Sequence, residues 1–428
     1  VGKRPLASEV PGGAEVSLAV VVLMDACVDP WKKTFYGAFV GQFLSIAGFF
    51  FVDPLLPLYL VALHPDLPSA ELRIWAGWTR GITGLVMAFS APLWGVVADR
   101  YGRKPMVLRA MFGGVLVLLL MAFAQNVYHL LALRALQGIL TGTTTAVVAL
   151  VSSITPRERS GYALGMMSAA VFGGATVGPF LGGEIADAVA RVHGDKIGFQ
   201  VALFCAAGIV FLGAMIIAFF TREEFERPQP TGEGRFASFA EMFGTAGFFA
   251  ALLTLFLVRF GNSSFQPIFP YFLEELTGTR LGLKALTGRI IGVAGLAAAV
   301  SAGILGRFGD KWGHKHLLTW SVMAAGLVTL ALRFATNIPQ VYVMRALFGF
   351  AAAGIMPSAN AIIRRIIHEK HLGKAYGILA SITGLGWGIG SLSGGYVSAA
   401  MGLRAPFVLT AVILFVSGLI VVWQVKEG

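Results

Sequence analysis

Charge is scarce in this chain. Only 13% of its 428 residues are Asp, Glu, Lys or Arg, while 56% are hydrophobic. A soluble domain carries about 25% charged residues, so a water-soluble globular protein does not fit. Cysteine is nearly absent: Cys27 and Cys205 are the two, and they make neither a disulfide framework nor a thiolate metal site. The seven histidines are scattered, so no metal site is expected. No Gly-x4-Gly-Lys-Ser/Thr stretch occurs, which argues against an ATP-driven pump. The apolar runs hold no nucleophile–base set, so a membrane-embedded enzyme has little support.

What is abundant is apolar sequence, with a mean hydropathy of +0.76. It comes in runs of about twenty residues, enough to cross a bilayer as a helix. Twelve spans are expected, at 36–63, 73–98, 105–124, 129–153, 159–187, 198–220, 245–273, 283–306, 316–335, 339–363, 374–401 and 405–424. The fold class is therefore an all-α polytopic membrane protein. Residues 1–33 read as an N-terminal extension, 34–220 as one six-helix bundle, 221–240 as a polar linker and 241–428 as a second bundle. The net charge of +11 does not point to nucleic acid here. Lys and Arg collect in loops on one side, among them Arg100, Arg103, Lys104, Arg157, Arg159, Arg307, Lys311, Lys315, Arg364 and Arg365. The excess of positive charge places that side, and with it both termini, in the cytoplasm.

The two bundles repeat one another. Gly95-Val-Val-Ala-Asp99-Arg100-Tyr-Gly102-Arg103-Lys104 returns as Gly306-Arg-Phe-Gly-Asp310-Lys311-Trp-Gly313-His314-Lys315, from 95 to 306, an offset of 211 residues. Asp53-Pro54 of span one matches Gln266-Pro267 of span seven. Arg134-Ala-Leu-Gln137-Gly138 of span four matches Arg345-Ala-Leu-Phe348-Gly349 of span ten. Gly178-Pro179-Phe-Leu-Gly182-Gly183 of span five matches Gly390-Ser391-Leu-Ser-Gly394-Gly395 of span eleven. Six-helix halves repeated in parallel are a transporter architecture, with the substrate site between them near the bilayer midplane.

These motifs together resemble the major facilitator superfamily over residues 34 to 428. The Gly95–Lys104 loop is similar to that family's signature between helices two and three. Arg134-x-x-Gln137-Gly138 is similar to the second motif of its proton-coupled members. Gly174, Gly178, Pro179, Gly182 and Gly183 resemble the antiporter motif of its drug-exporting branches, and the bacterial twelve-helix drug:proton antiporters are the nearest likeness. The resemblance implies a single-chain exporter in the bacterial inner membrane, functional as a monomer. It implies a proton gradient as the driving force, with no cofactor, and protons and a small molecule as its partners beside membrane lipid. In that family the matching arginine of span four is implicated in proton transfer, and the loop acid meets the start of span eleven, near Lys374–Gly377.

Candidate site residues follow. Asp53 is the only acid deep inside a span. A carboxylate there is costly, so it should face a cavity or a cation. It reads as the proton site or as a polar anchor for its helix. Arg134 lies at a similar depth and either tunes Asp53 or pins backbone carbonyls, with Arg80 a weaker partner. Gly95, Asp99, Arg100, Gly102, Arg103, Lys104 and the repeat acid Asp310 form either a gate latch between the halves or a basic loop that sets topology. The span-five glycines are either a hinge and seal or simple tight packing. Arg259, Asn262, Gln266 and Phe50 are candidates to contact substrate, Arg259 an anionic one. Glu184 and Asp187 are expected to be solvated at the outer end of span five, with proton entry as the alternative. The function these readings favour is proton-coupled efflux of drug-like or amphiphilic molecules by alternating access. A proton-coupled uptake permease for a metabolite, or a non-transporting sensor or scaffold, are the alternatives.

Overall fold

A computed structural model describes residues 30–140, 142–156, 159–223, 248–366 and 372–424. Among the described residues the regular structure is entirely helical. Eleven helices or helix pairs are long and apolar enough to cross a membrane. The 30-residue helix Leu372–Met401, packed between spans two and seven, stands where the sequence expects span eleven. Span one begins at Pro30, inside the stretch assigned to the extension; residues 1–29 lie outside the described part.

Four spans are interrupted, and they are repeat equivalents. Span one runs Pro30–Val52, passes a short 3-10 turn at Asp53–Leu55 and resumes as Leu56–Leu63. Span seven stops at Ser264 and resumes at Phe269. Pro54 and Pro267 lack the N–H that would continue each helix. Span four breaks between Leu140 and Thr143, where Gly142 takes φ +126°. Span ten breaks between Ala352 and Ile355. The apolar faces of spans one and seven are buried on both sides: span one packs on five and six, span seven on eleven and twelve.

Glycine stripes set these contacts. Gly174, Gly178 and Gly182 of span five lie against the backbone of span one, and a Cβ at Gly174 would sit 2.7 Å from the Phe43 carbonyl oxygen. At Gly178 and Gly182 it would overlap the carbonyl oxygens of Ala47 and Phe51. Gly386, Gly390 and Gly394 of span eleven meet Phe256, Phe260 and Ser264 of span seven in the same way. The motif thus packs identically in both halves, although Ser391 replaces Pro179 in the second. Small residues at this spacing let two backbones approach closely.

The halves meet through spans two with eleven and five with eight. They touch at the end opposite the Gly95 loop. There Gly77 packs on Ser391, Gly395 on Arg73 and Gly183 on Lys284, and the contact continues to mid-helix, where Gly295 meets Thr176 and Gly84 meets Gly388. At the loop end a Cβ added to Gly95, Gly161, Gly165, Gly303, Gly306 or Gly377 would meet no neighbouring atom within 4 Å. The molecule is closed at one end and open at the other.

Candidate functional site

Asp53 sits at the break of span one, 92% buried, with two guanidinium groups on its two oxygens. Arg134 of span four places its NH2 2.7 Å from Oδ1. Arg80 of span two places its NH2 2.9 Å from Oδ2. Removing an acid from water is offset by such pairing only when the remaining donors are also satisfied. For Arg134 they are: Nε donates to the Thr79 carbonyl at 2.9 Å, and NH1 to Gln137 Oε1 at 2.6 Å. Gly138, one turn on, lets span four lie against the Thr83 carbonyl of span two, and the Thr83 hydroxyl donates to the Arg134 carbonyl at 3.0 Å. Span four is thereby held so that Arg134 reaches across to span one.

Arg80 does more than the sequence suggests. Its NH2 also donates to Gln266 Oε1 of span seven. Gln266 Nε2 in turn donates to Asn262 Oδ1 at 3.4 Å. One polar chain therefore runs Gln137–Arg134–Asp53–Arg80–Gln266–Asn262 and crosses from the first half to the second. The structure brings Asp53 and Arg134 together and places Gln266 and Asn262, two candidates for substrate contact, in the same polar chain. The bridge itself belongs to Arg80, which the sequence offers only as a weaker partner. Position along the chain carries no sign that span two turns residue 80 toward span seven.

The remaining arginines differ. Arg259 is solvent-accessible although it lies mid-span, and among the described residues it has no hydrogen-bond or ion-pair partner. Asn262, one turn away, accepts from Gln266 instead. Arg345, the repeat equivalent of Arg134, has no acid partner among the described residues. It is 93% buried among Phe265, Phe269 and Phe348, with ring centroids 5.0–5.2 Å away. Phe50 is half-buried.

The Gly95–Lys104 loop is tied down within its own half. Gly102 takes φ +95° and ends span two. The backbone N–H groups of Arg103 and Lys104 then donate to the Glu223 carboxylate at 2.7–2.9 Å, an anion on the N-terminus of span three. Lys104 Nζ donates to the Ala218 and Thr221 carbonyls at 2.8 and 2.7 Å, at the end of span six. Arg100 is exposed. The side chains of Asp99, Asp310 and Lys374 lie outside the described residues. Glu223 is a partner that sequence reasoning misses.

The Major Facilitator Superfamily model matches residues 38–256 and 251–427. The chain belongs to the major facilitator superfamily. It is 34% identical over 390 residues to the multidrug resistance protein MdtG of Citrobacter koseri, covering 90% of this chain and 93% of that one. It is 31% identical over 407 residues to MdtG of Serratia proteamaculans, covering 93% and 95%. A bacterial homologue of the human lysosomal transporter Spinster, inward-facing and occupied, aligns with TM-score 0.73 at 15% identity, over 93% of this chain and 97% of that one. The human organic anion transporter MFSD10 aligns with TM-score 0.70 at 18% identity, over 92% and 100%. This superfamily member is a multi-pass membrane transporter and not an enzyme.

At the closed end of the transporter the two halves are locked by charge. Lys284 Nζ lies 2.6 Å from Asp195 Oδ1 and 3.4 Å from Asp187 Oδ1. Asp187 Oδ2 accepts from the Ala285 N–H at 3.1 Å, near the N-terminus of span eight. Asp187 is 97% buried and Lys284 96%. Glu184 pairs with Arg289 beside them. The expectation that Glu184 and Asp187 are solvated is therefore wrong for Asp187: span eight covers it, and an acid at a helix end is silent about what docks there. Lys284→Met is expected to leave Asp187 without its cation and weaken this closure by about 3 kcal/mol. In a background lacking Cys27 and Cys205, a cysteine at buried Ser391 should then label severalfold faster with a water-soluble maleimide. Unchanged labelling would count against the lock.

Proposed function

We propose that this transporter is a proton-coupled exporter of drug-like or amphiphilic molecules in a bacterial inner membrane, with the loop end cytoplasmic. The observation that carries the reading is the Asp53 network. One buried acid is shared by arginines from two other spans, and one of those arginines also holds the second half. Ionised Asp53 keeps Arg80 in place, so Arg80 can bridge to Gln266. A proton on Asp53 removes the charge that holds Arg80 and loosens the link between halves, which makes their arrangement sensitive to protonation. The multidrug resistance names of the MdtG relatives support export. The open loop end then faces the cytoplasm, where the positive-inside rule also puts it.

The test is dye or drug transport in inside-out vesicles with an imposed proton gradient. Asp53→Asn keeps the shape of the side chain and loses its titratable group. Its transport is expected to stop responding to the gradient, while downhill exchange of substrate persists. A full response to the gradient in Asp53→Asn refutes the proton role.

One observation favours a second reading, proton-coupled uptake. The network holds a single acid between Arg80 and Arg134, and Arg259 stands unpaired on span seven. Protonating Asp53 frees arginines that can hold an anion, which couples proton and anion binding with the same sign. Accumulation of an anion in right-side-out vesicles on imposing an inward proton gradient would establish it.

A further inference from the structure

The central network has an uncompensated charge. Asp53 carries the one negative charge, and it is fully engaged with Arg134 and Arg80. Arg259, on span seven, adds a third guanidinium. Its Cβ lies against Gly386 of span eleven, and Gly384 and Gly388 of that helix pack on Gly84 of span two, the helix that carries the buried Arg80. Arg259 is therefore exposed beside the seam where span eleven meets the first half. One charge against three gives this cluster a net charge of +2.

Water in the open cavity can solvate Arg259 in this state. That solvation is lost when the halves close around the site, and a bare cation inside the membrane is expensive. An ionisable group in such a place is a functional site by default. A second donor faces the same shortage: Nε of Arg80 is buried and has no hydrogen-bond partner. Phe256 and Phe260 flank Arg259 on its own helix, three residues before and one after. Their rings lie 6.0 Å apart and both are half-buried. Their backbones are packed on Gly386 and Gly390 of span eleven, which fixes this face of span seven.

We infer that the site takes an amphiphilic organic anion, its acidic head group on Arg259 and its apolar body against Phe256 and Phe260. A carboxylate, phosphonate or sulfonate meets a guanidinium with two parallel hydrogen bonds, among the strongest polar contacts a protein makes. The anion supplies the charge that lets the cavity close. Arg259 is thus the specificity-determining residue, and it selects by charge sign before shape. The inference rests on the transporter reading of this site and is independent of the proton step and of the direction of transport.

Three probes with one naphthalene body and different heads test it: naphthoate, naphthalenemethanol and naphthylmethylammonium. The readout is ligand-dependent thermal stabilisation of the purified full-length protein, titrated at fixed pH. Naphthoate is expected to half-saturate at a concentration about tenfold or more below the alcohol, as a charge-assisted pair requires, and the ammonium is expected to give no stabilisation. In Arg259→Gln the naphthoate advantage should vanish; in Arg259→Lys it should shrink severalfold, because the fork geometry is lost. The inference is overturned if the ammonium stabilises as well as naphthoate, if none of the three binds, or if Arg259→Gln keeps the ranking. The ranking in the unaltered protein decides the matter even where Arg259→Gln does not fold. The proton step is read separately: a gradient response that survives in Asp53→Asn overturns that step and leaves the anion site standing.

Discussion

Asp53→Ala is expected to lose about 3–5 kcal/mol of stability, because it strands two guanidinium groups that the carboxylate now neutralises. Arg134 and Arg80 lie 2.7 and 2.9 Å from its two oxygens, and both are more than nine-tenths buried. Neither arginine has a second acid in reach among the described residues. The thermal unfolding midpoint in detergent should fall by several degrees, and transport should cease. Adding Arg134→Leu to Asp53→Ala should recover part of the lost stability, since one unpaired charge leaves with its partner. Removing both members of a buried pair is often near neutral, whereas removing one is not. The double variant should remain unable to transport. An Asp53→Ala protein as stable as the unaltered one would show that water enters the network and solvates both arginines.

The second large effect belongs to a residue with no chemistry. Gly182→Leu is expected to prevent accumulation of folded protein in the membrane. Even the first carbon of a side chain there overlaps the Phe51 carbonyl oxygen, and Gly183 beside it is pressed on Lys284 of the other half. Both neighbours are helix backbone and cannot step aside. Gly182→Ala should cost more than the roughly 1–3 kcal/mol typical of an overpacked core, because the clash is with backbone. Gly208→Ala is the control: its added carbon meets nothing within 4 Å, and it should be neutral or slightly stabilising, as alanine is the better helix former. Membrane yield and detergent melting of the variants give the comparison. Normal yield of Gly182→Leu would mean that spans one and five are not in this contact.

Both residues are legible in the chain before it folds. The stripe Gly174, Gly178, Gly182 shows as small residues at helical spacing, and such a pattern has one dominant use in a membrane. Asp53 stands out because an acid in an apolar run is rare. Its partner Arg134 stands out because a repeated motif contains it. Arg80 is barely visible, since it stands in no motif and its repeat equivalent is Ile291. Glu223 and the Lys284–Asp187 lock are not visible at all. Both lie at span ends, where charged residues are ordinary and most of them meet only water.

The repeat shows the same division. The offset of 211 residues between Gly95 and Gly306 establishes two related bundles. It also shows that Asp53 and Gln137 have Gln266 and Phe348 as counterparts, so the second half cannot copy the acid network. Only the folded molecule shows what the second half does instead. Gln266 crosses over to take Arg80, and Arg345 is enclosed by phenylalanines.

Membrane spanning, twelvefold crossing and internal duplication are written in local composition, because twenty apolar residues have one stable answer in a bilayer whatever surrounds them. Which arginine bridges the halves, which one stays unpaired, and which end of the molecule is closed depend on helix rotation and tilt. Those are set by packing between residues far apart in the chain, and no single stretch of sequence contains that contact.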